Sequence, residues 1–208
     1  MSIVIGVAVA LVIIVGGAFL MRGLLSKLGQ AKGFDEAQEQ IQGEIRSRLE
    51  SIASEVGGAI VEGPALQSGA GKMALVATGA PKNHAIDLAK FTAPLSLKTQ
   101  LTLIPVQDAA KALQTKHLHP VTPEDPAVAA EYKLLASDEA FGRKVATPKL
   151  IERMRELDKA VQGRSRLQIA PGGATILVTR GLSRPEDLKA FYERSVAVIE
   201  CLKALAGA

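Results

Sequence analysis

Hydrophobic positions fall into two regimes along this chain. From Ile3 to Met21 the sequence reads IVIGVAVALVIIVGGAFLM, with no charge, no strong polar group and no Pro. As a helix rising about 1.5 Å per residue this stretch spans roughly 28 Å, close to the hydrocarbon core of a bilayer. Beyond it the apolar positions become periodic. Ile41, Ile45, Leu49, Ile52 and Val56 recur at intervals of three and four, which predicts a helix from about Asp35 to Val56 that Gly57-Gly58 ends.

Strand-like runs follow at Ala59–Glu62, Lys72–Thr78 and Asn83–Lys90. Over 97–104, Leu97, Thr99, Leu101 and Leu103 alternate with Lys98, Gln100 and Thr102, the period of a strand with one wet face. Residues 107–116 suit a short helix. Residues 117–130, with Pro120, Pro123 and Pro126, suit an irregular surface loop. Then come a short strand at 131–136, a turn capped by Ser137, and a strand at 144–146. Thr147-Pro148 has the form of an N-cap followed by Pro at the first helical position. The helix it opens places Leu150, Met154, Leu157 and Val161 on one face, and Gly163 stops it. Two strands, 166–170 and 174–179, flank Pro171-Gly172-Gly173, a hairpin signal. Ser183-Arg184-Pro185-Glu186 is a capping box for a long last helix, with Leu188, Phe191, Ser195, Val198, Leu202 and Leu205 in line.

These patterns predict an α+β fold. An N-terminal transmembrane helix is followed by one mixed or antiparallel sheet of roughly six to eight strands with about three main helices. The expected division is an anchor over residues 1–22, a juxtamembrane linker with Gly23, Gly29 and Gly33 over 23–33, and a soluble domain over 34–208. The membrane-spanning segment runs from Ile3 through Leu11 to Met21. No Lys or Arg precedes it and no A-x-A pattern closes it, so an uncleaved anchor is expected rather than a signal peptide. Arg22, Lys27 and Lys32 form a juxtamembrane basic flank, which by the positive-inside rule places the soluble domain in the cytoplasm, at the inner membrane. Gly6 and Ala10 form a small-xxx-small pair, so self-association into a homo-oligomer stays open.

Composition narrows the function classes. The chain has 208 residues, a formal net charge of +4, one Cys and no Trp. A lone Cys excludes a disulfide scaffold. The positive balance is mild and aromatic residues make up 3%, too few stacking platforms for a dedicated single-strand nucleic-acid binder.

Residues 131–205 run EYKLLASDEAFGRKVATPKLIERMRELDKAV, then RLQIAPGGATILV, then the closing helix. With Gly57-Gly58 as a helix-ending pair and Asp138-Glu139-Ala140-Phe141 as an acidic-x-x-Phe turn, this resembles bacterial single-pass membrane-anchored proteins of a domain family of unknown function. The resemblance implies an anchor and a mixed sheet. It implies no catalytic residue and no ligand.

Candidate chemistry is sparse. Gly71-Lys72 invites a phosphate-loop reading, but position 66 is Leu and position 73 is Met where that loop needs Gly and Ser or Thr. His117 and His119 stand near Glu124 and Asp125, two imidazoles where a zinc site needs three or four fixed ligands. His84 shares a strand face with Ile86 and Leu88, as a core histidine would. Cys201 reads as a small buried side chain. The basic run Lys149, Arg153, Arg155, Lys159, Arg164 and Arg166 is interrupted by Glu152, Glu156 and Asp158, the pattern of a solvated face with local ion pairs. No G-x-S-x-G, H-E-x-x-H, C-x-x-C or G-x-G-x-x-G motif occurs. No cofactor, metal or catalytic residue is therefore expected. The expected partners are the lipid bilayer, through residues 3–21, and an unidentified protein, with no nucleic acid. Three readings compete: a membrane-anchored protein-interaction or scaffold module, a membrane-anchored enzyme whose site is assembled from distant residues, and a sensor of anionic lipid.

Overall fold

The computed structural model of the chain describes residues 36–78, 85–111, 117–179 and 182–206. The chain divides into two compact units, Met1–Ile41 and Gln42–Ala208. Of the first, only 36–41 is described.

Helix α1 covers residues 36–53. Its exposed side is laced by pairs four residues apart, Arg46 to Glu50 at 2.9 Å and Arg48 to Glu44. Its apolar side buries Ile45, Leu49 and Ile52. Gly57, at φ +64, turns the chain out of the helix, and the Gly58 N–H donates to the Ala53 carbonyl at 2.9 Å. Only glycine takes that φ without a side-chain penalty, so the helix ends here for a local reason.

Strands β1 (Ala59–Val61), β2 (Ala65–Gln67), β3 (Lys72–Thr78) and β4 (Ala85–Leu95) follow as a meander. Then come β5 (Leu101–Pro105), a 3-10 turn over Val106–Lys111, β6 (His119–Val121), α2 (Pro126–Glu131) and β7 (Tyr132–Ala136). Helices α3 (Glu139–Val145) and α4 (Pro148–Ala160), the hairpin β8 (Ser165–Ala170) and β9 (Gly172–Val178), and helix α5 (Pro185–Ala206) complete the order. The sheet has nine strands in the order β1-β2-β3-β4-β9-β8-β5-β7-β6, and each neighbouring pair is antiparallel. The β8–β9 hairpin thus lies between β4 and β5, which are successive in the chain.

Register gives the sheet two chemically distinct faces. One buried row crosses eight strands: Leu66, Met73, Phe91, Ile176, Leu167, Leu103, Leu134 and Val121. Helices pack on this side. The Tyr192 ring of α5 meets Phe91 edge-on, with centroids 5.6 Å apart. Met154 of α4 lies against Ser165, and a Cβ on Gly142 of α3 would stand 3.0 Å from Ala136. Helix α5 is further tied down by Lys189 to Glu55 at 2.7 Å and by the Tyr192 hydroxyl to Ser68 at 2.5 Å. The opposite face carries Lys90, Leu177 and Arg166 in one row, with Ile104 and Lys133 paired on the next two strands. Lys72, Thr92, Thr175, Gln168 and Thr102 form the adjacent row. On that face Lys72, Val76, Lys90 and Lys133 are exposed.

The expected fold class needs correction. Among the described residues no helix is long and apolar enough to cross a membrane. The longest, α5, has 22 residues, but Glu186, Asp187, Lys189, Glu193, Arg194, Glu200 and Lys203 punctuate it, and its apolar stripe is buried against α4 and the sheet. The expected spanning helix with Ile3, Leu11 and Met21, and the basic flank of Arg22, Lys27 and Lys32, lie outside the described residues. The sheet is antiparallel, one of the two expected forms, and among the described residues it has nine strands where roughly six to eight were expected.

Local expectations divide the same way. Strand β3 and the Thr147–Pro148 start of α4 are as expected; the Thr147 hydroxyl accepts from the Leu150 N–H at 3.3 Å. Residues 144–146 do not form a strand but fall at the end of α3, which Asp138, not Ser137, caps by accepting from the Phe141 N–H at 3.1 Å. The expected loop over 117–130 contains β6 and α2. Pro120 stands on the edge strand, where a missing N–H costs no ladder bond, and Pro126 opens α2.

Candidate functional site

The most developed polar cluster forms where α4, β7 and β8 meet. Helix α4 ends by a local device. The Gly163 N–H donates to the Asp158 carbonyl at 3.1 Å, and the Gln162 N–H to that of Lys159 at 3.3 Å. Gln162 itself, at φ +48, takes the left-handed position. The chain therefore doubles back within one turn and brings Ser165, the first residue of β8, onto the side chain of Asp158.

Asp158 accepts three hydrogen bonds there. Its Oδ1 receives the Ser165 N–H at 2.7 Å and the Ser165 hydroxyl at 2.5 Å. Its Oδ2 receives the Tyr132 hydroxyl at 3.1 Å. Ser165 is 0% exposed and Tyr132 is 3% exposed. Burial raises the Asp158 carboxyl above its ordinary value, against the opposing pull of these donors. Burial, with the charge of Asp158, also raises the Tyr132 phenol, which stays protonated and donates. One carboxylate thus joins a helix and two strands.

A cleft of about 450 Å³ opens beside this cluster, lined by Val106, Gln107, Ala130, Glu131, Tyr132, Arg155, Asp158 and Arg164. At its rim Arg155 holds Glu131 through two bonds of 2.7 Å. That pairing lowers the Glu131 carboxyl and raises the Arg155 guanidinium. Chemically the arrangement is self-satisfied. Both Asp158 oxygens are occupied, and Ser165 Oγ is bonded to a carboxylate with no imidazole or amine beside it among the described residues. A serine nucleophile needs a base that accepts its proton and access to substrate. Here a buried hydroxyl donates to a carboxylate whose other bonds are structural.

The residues singled out by sequence are scattered. Gly71 serves packing: a Cβ there would stand 2.6 Å from the Thr92 carbonyl oxygen and 2.8 Å from the Phe91 ring. Lys72 beside it is exposed on the open sheet face. His117 and His119 are exposed, while Asp125 caps α2 by accepting from the Ala127 N–H at 2.8 Å. Among the described residues no group of three His, Cys, Asp or Glu side chains gathers. His84 lies outside the described residues. Cys201 is buried and its thiol is pushed up by burial, so it is a poor nucleophile. In the basic run, Arg153 pairs with Glu156 at 2.8 Å and Arg155 reaches across to Glu131. The Asp158 cluster is hidden from sequence reasoning because its members lie up to 33 positions apart. The one local signal is a carboxylate seven residues before a strand-opening serine.

No family model matches the chain, and no curated protein matches it. Among solved structures, the crystal structure of the mycobacterial trehalose monomycolate transport factor A, TtfA, is similar with a TM-score of 0.49 and 8% sequence identity. The match covers 77% of this chain and 93% of that one.

Proposed function

We propose that this chain is a protein-interaction or scaffold component of a membrane-associated assembly. The observation that carries the proposal is the Asp158 cluster. The main buried polar constellation is spent on holding α4, β7 and β8 together and leaves no group free to react. What the domain offers a partner is therefore surface. The uncharged run from Ile3 to Met21 favours a membrane setting over a free cytosolic one.

Affinity purification of the full chain from membranes in mild detergent, after cross-linking in cells, tests this. A stable set of membrane-associated partners is the expected result. Repeated recovery of the chain alone, under conditions that retain known complexes, refutes it.

A second reading, a membrane-associated enzyme, rests on the cleft beside Glu131, Arg155 and Arg164. It requires a ligand that displaces the Arg155–Glu131 pair. Small-molecule binding abolished by Arg164→Ala would favour it over the scaffold.

A further inference from the structure

The sheet face opposite the helices carries a row of cations, and among the described residues it is covered only at β5, where Thr102 and Ile104 are buried. Lys90 on β4 and Arg166 on β8 flank Leu177, and Ile104 on β5 is paired with Lys133 on β7. One step beyond the last paired residues of β5 and β8, Ile104 stands beside Arg166. Cation and aliphatic side chains thus alternate strand by strand, with Lys90 and Lys133 exposed, Arg166 and Leu177 half-buried and Ile104 buried. With strands about 4.8 Å apart, successive cations stand roughly 10 Å from each other. Lys72 adds a fourth in the adjacent row. Among the described residues none of these four forms an ion pair, and no residue paired on this face is Asp or Glu. The other face, by contrast, is covered by α3, α4 and α5.

We propose that this open sheet face, through Lys72, Lys90, Arg166 and Lys133, binds an anionic lipid surface. The inference rests on the membrane setting proposed above. Charge complementarity requires an anionic partner, and two features select lipid. Three of the four cations are Lys, a residue depleted at protein–protein interfaces but fully effective against a charged headgroup layer. Among the described residues the face carries no aromatic side chain on which nucleic-acid bases would stack.

The test uses the full chain with an environment-sensitive fluorophore on Val76→Cys, an exposed position of the same face; Cys201 is buried. Vesicles of phosphatidylcholine alone are compared with vesicles that also contain phosphatidylglycerol. Flotation reports association, and the fluorophore reports whether this face meets lipid. The expected result is a blue shift with anionic vesicles only, reversed by salt. Each cation near an anionic surface is worth roughly fivefold in partitioning. The triple variant Lys90→Gln, Arg166→Gln, Lys133→Gln therefore lowers the anionic-over-neutral ratio by about a hundredfold. Lys72→Gln, at an exposed position, lowers it about fivefold and serves if the triple variant fails to fold. Flotation with both vesicle types but no salt-sensitive blue shift overturns the proposal and leaves the membrane setting intact. Flotation with neither overturns both. A blue shift with poly-glutamate or an oligonucleotide, and none with anionic vesicles, assigns the face to an acidic polymer and overturns it too.

Discussion

Removing the Asp158 carboxylate is the sharpest probe of how the domain is held together. Asp158→Ala leaves three donors behind: the Ser165 N–H, the Ser165 hydroxyl and the Tyr132 hydroxyl. Two of the three belong to a residue with no exposure, so water does not readily replace the lost acceptor. A buried donor left unpaired costs about 1–3 kcal/mol. Against this, the substitution removes a carboxylate whose own burial is unfavourable, as its raised pKa records. The net expectation is a loss of about 2–4 kcal/mol. Tyr132→Phe removes one donor while Asp158 keeps two, and costs about 1 kcal/mol. For a chain of this size 1 kcal/mol moves Tm by about 2–4 °C, so thermal unfolding followed by circular dichroism separates the two variants. The double variant makes the argument strict. Once Asp158 is gone the Tyr132 hydroxyl is already unpaired, so Tyr132→Phe then costs nothing further, and the coupling is about 1 kcal/mol. Purely additive losses, or an Asp158→Ala variant no weaker than Tyr132→Phe, would show that the three bonds do not act as one latch.

Other substitutions test neighbouring arguments. Because the Asp158 carboxyl is raised in the folded state, its contribution to stability falls as pH rises from its unfolded value through its folded value. Lowering pH from about 7 toward about 4 should therefore shift Tm in favour of the native chain relative to Asp158→Asn, and the opposite trend contradicts the desolvation account. Gly71→Ala drives a Cβ against the Thr92 carbonyl oxygen and the Phe91 ring, and is expected to cost about 2–4 kcal/mol. Lys72→Ala, at an exposed position, stays within about 0.5 kcal/mol, a contrast measurable by urea denaturation. The Ser195 hydroxyl is buried in α5 with no hydrogen-bond partner among the described residues. Ser195→Ala is expected to raise stability by about 1 kcal/mol, and a loss of that size would mean that the hydroxyl is satisfied after all.

Helices are largely legible in the amino-acid sequence because their signals are local. The spacing of Leu150, Met154, Leu157 and Val161 sets the buried face of α4, and all four are buried. Thr147 and Pro148 set its start through one side-chain bond and one fixed φ. The same holds for Leu188, Phe191, Ser195, Val198 and Leu202 in α5. Strands are less evenly legible. β3 takes its expected bounds, but the alternating Leu97–Ile104 run yields a strand only from Leu101, and all five residues of that strand are buried, so its expected wet face is covered. Residues before it bend away, with the Leu97 N–H bonded to the Leu95 carbonyl at 2.9 Å. That bend exists because β5 leaves β4 to make room for a hairpin that lies some 70 residues further along the chain.

What depends on a few neighbouring residues was legible in the amino-acid order: helix faces, the Thr147–Pro148 start of α4 and the Gly57 stop. Which strands lie side by side was settled by long-range packing, because a ladder hydrogen bond is indifferent to sequence distance. Insertion of β8–β9 between β4 and β5 put Lys90, Arg166 and Lys133 on one row. The reversal at Gln162 put Asp158 under Ser165 and Tyr132. Both outcomes rest on contacts between residues far apart in the chain, whose energies no local pattern records.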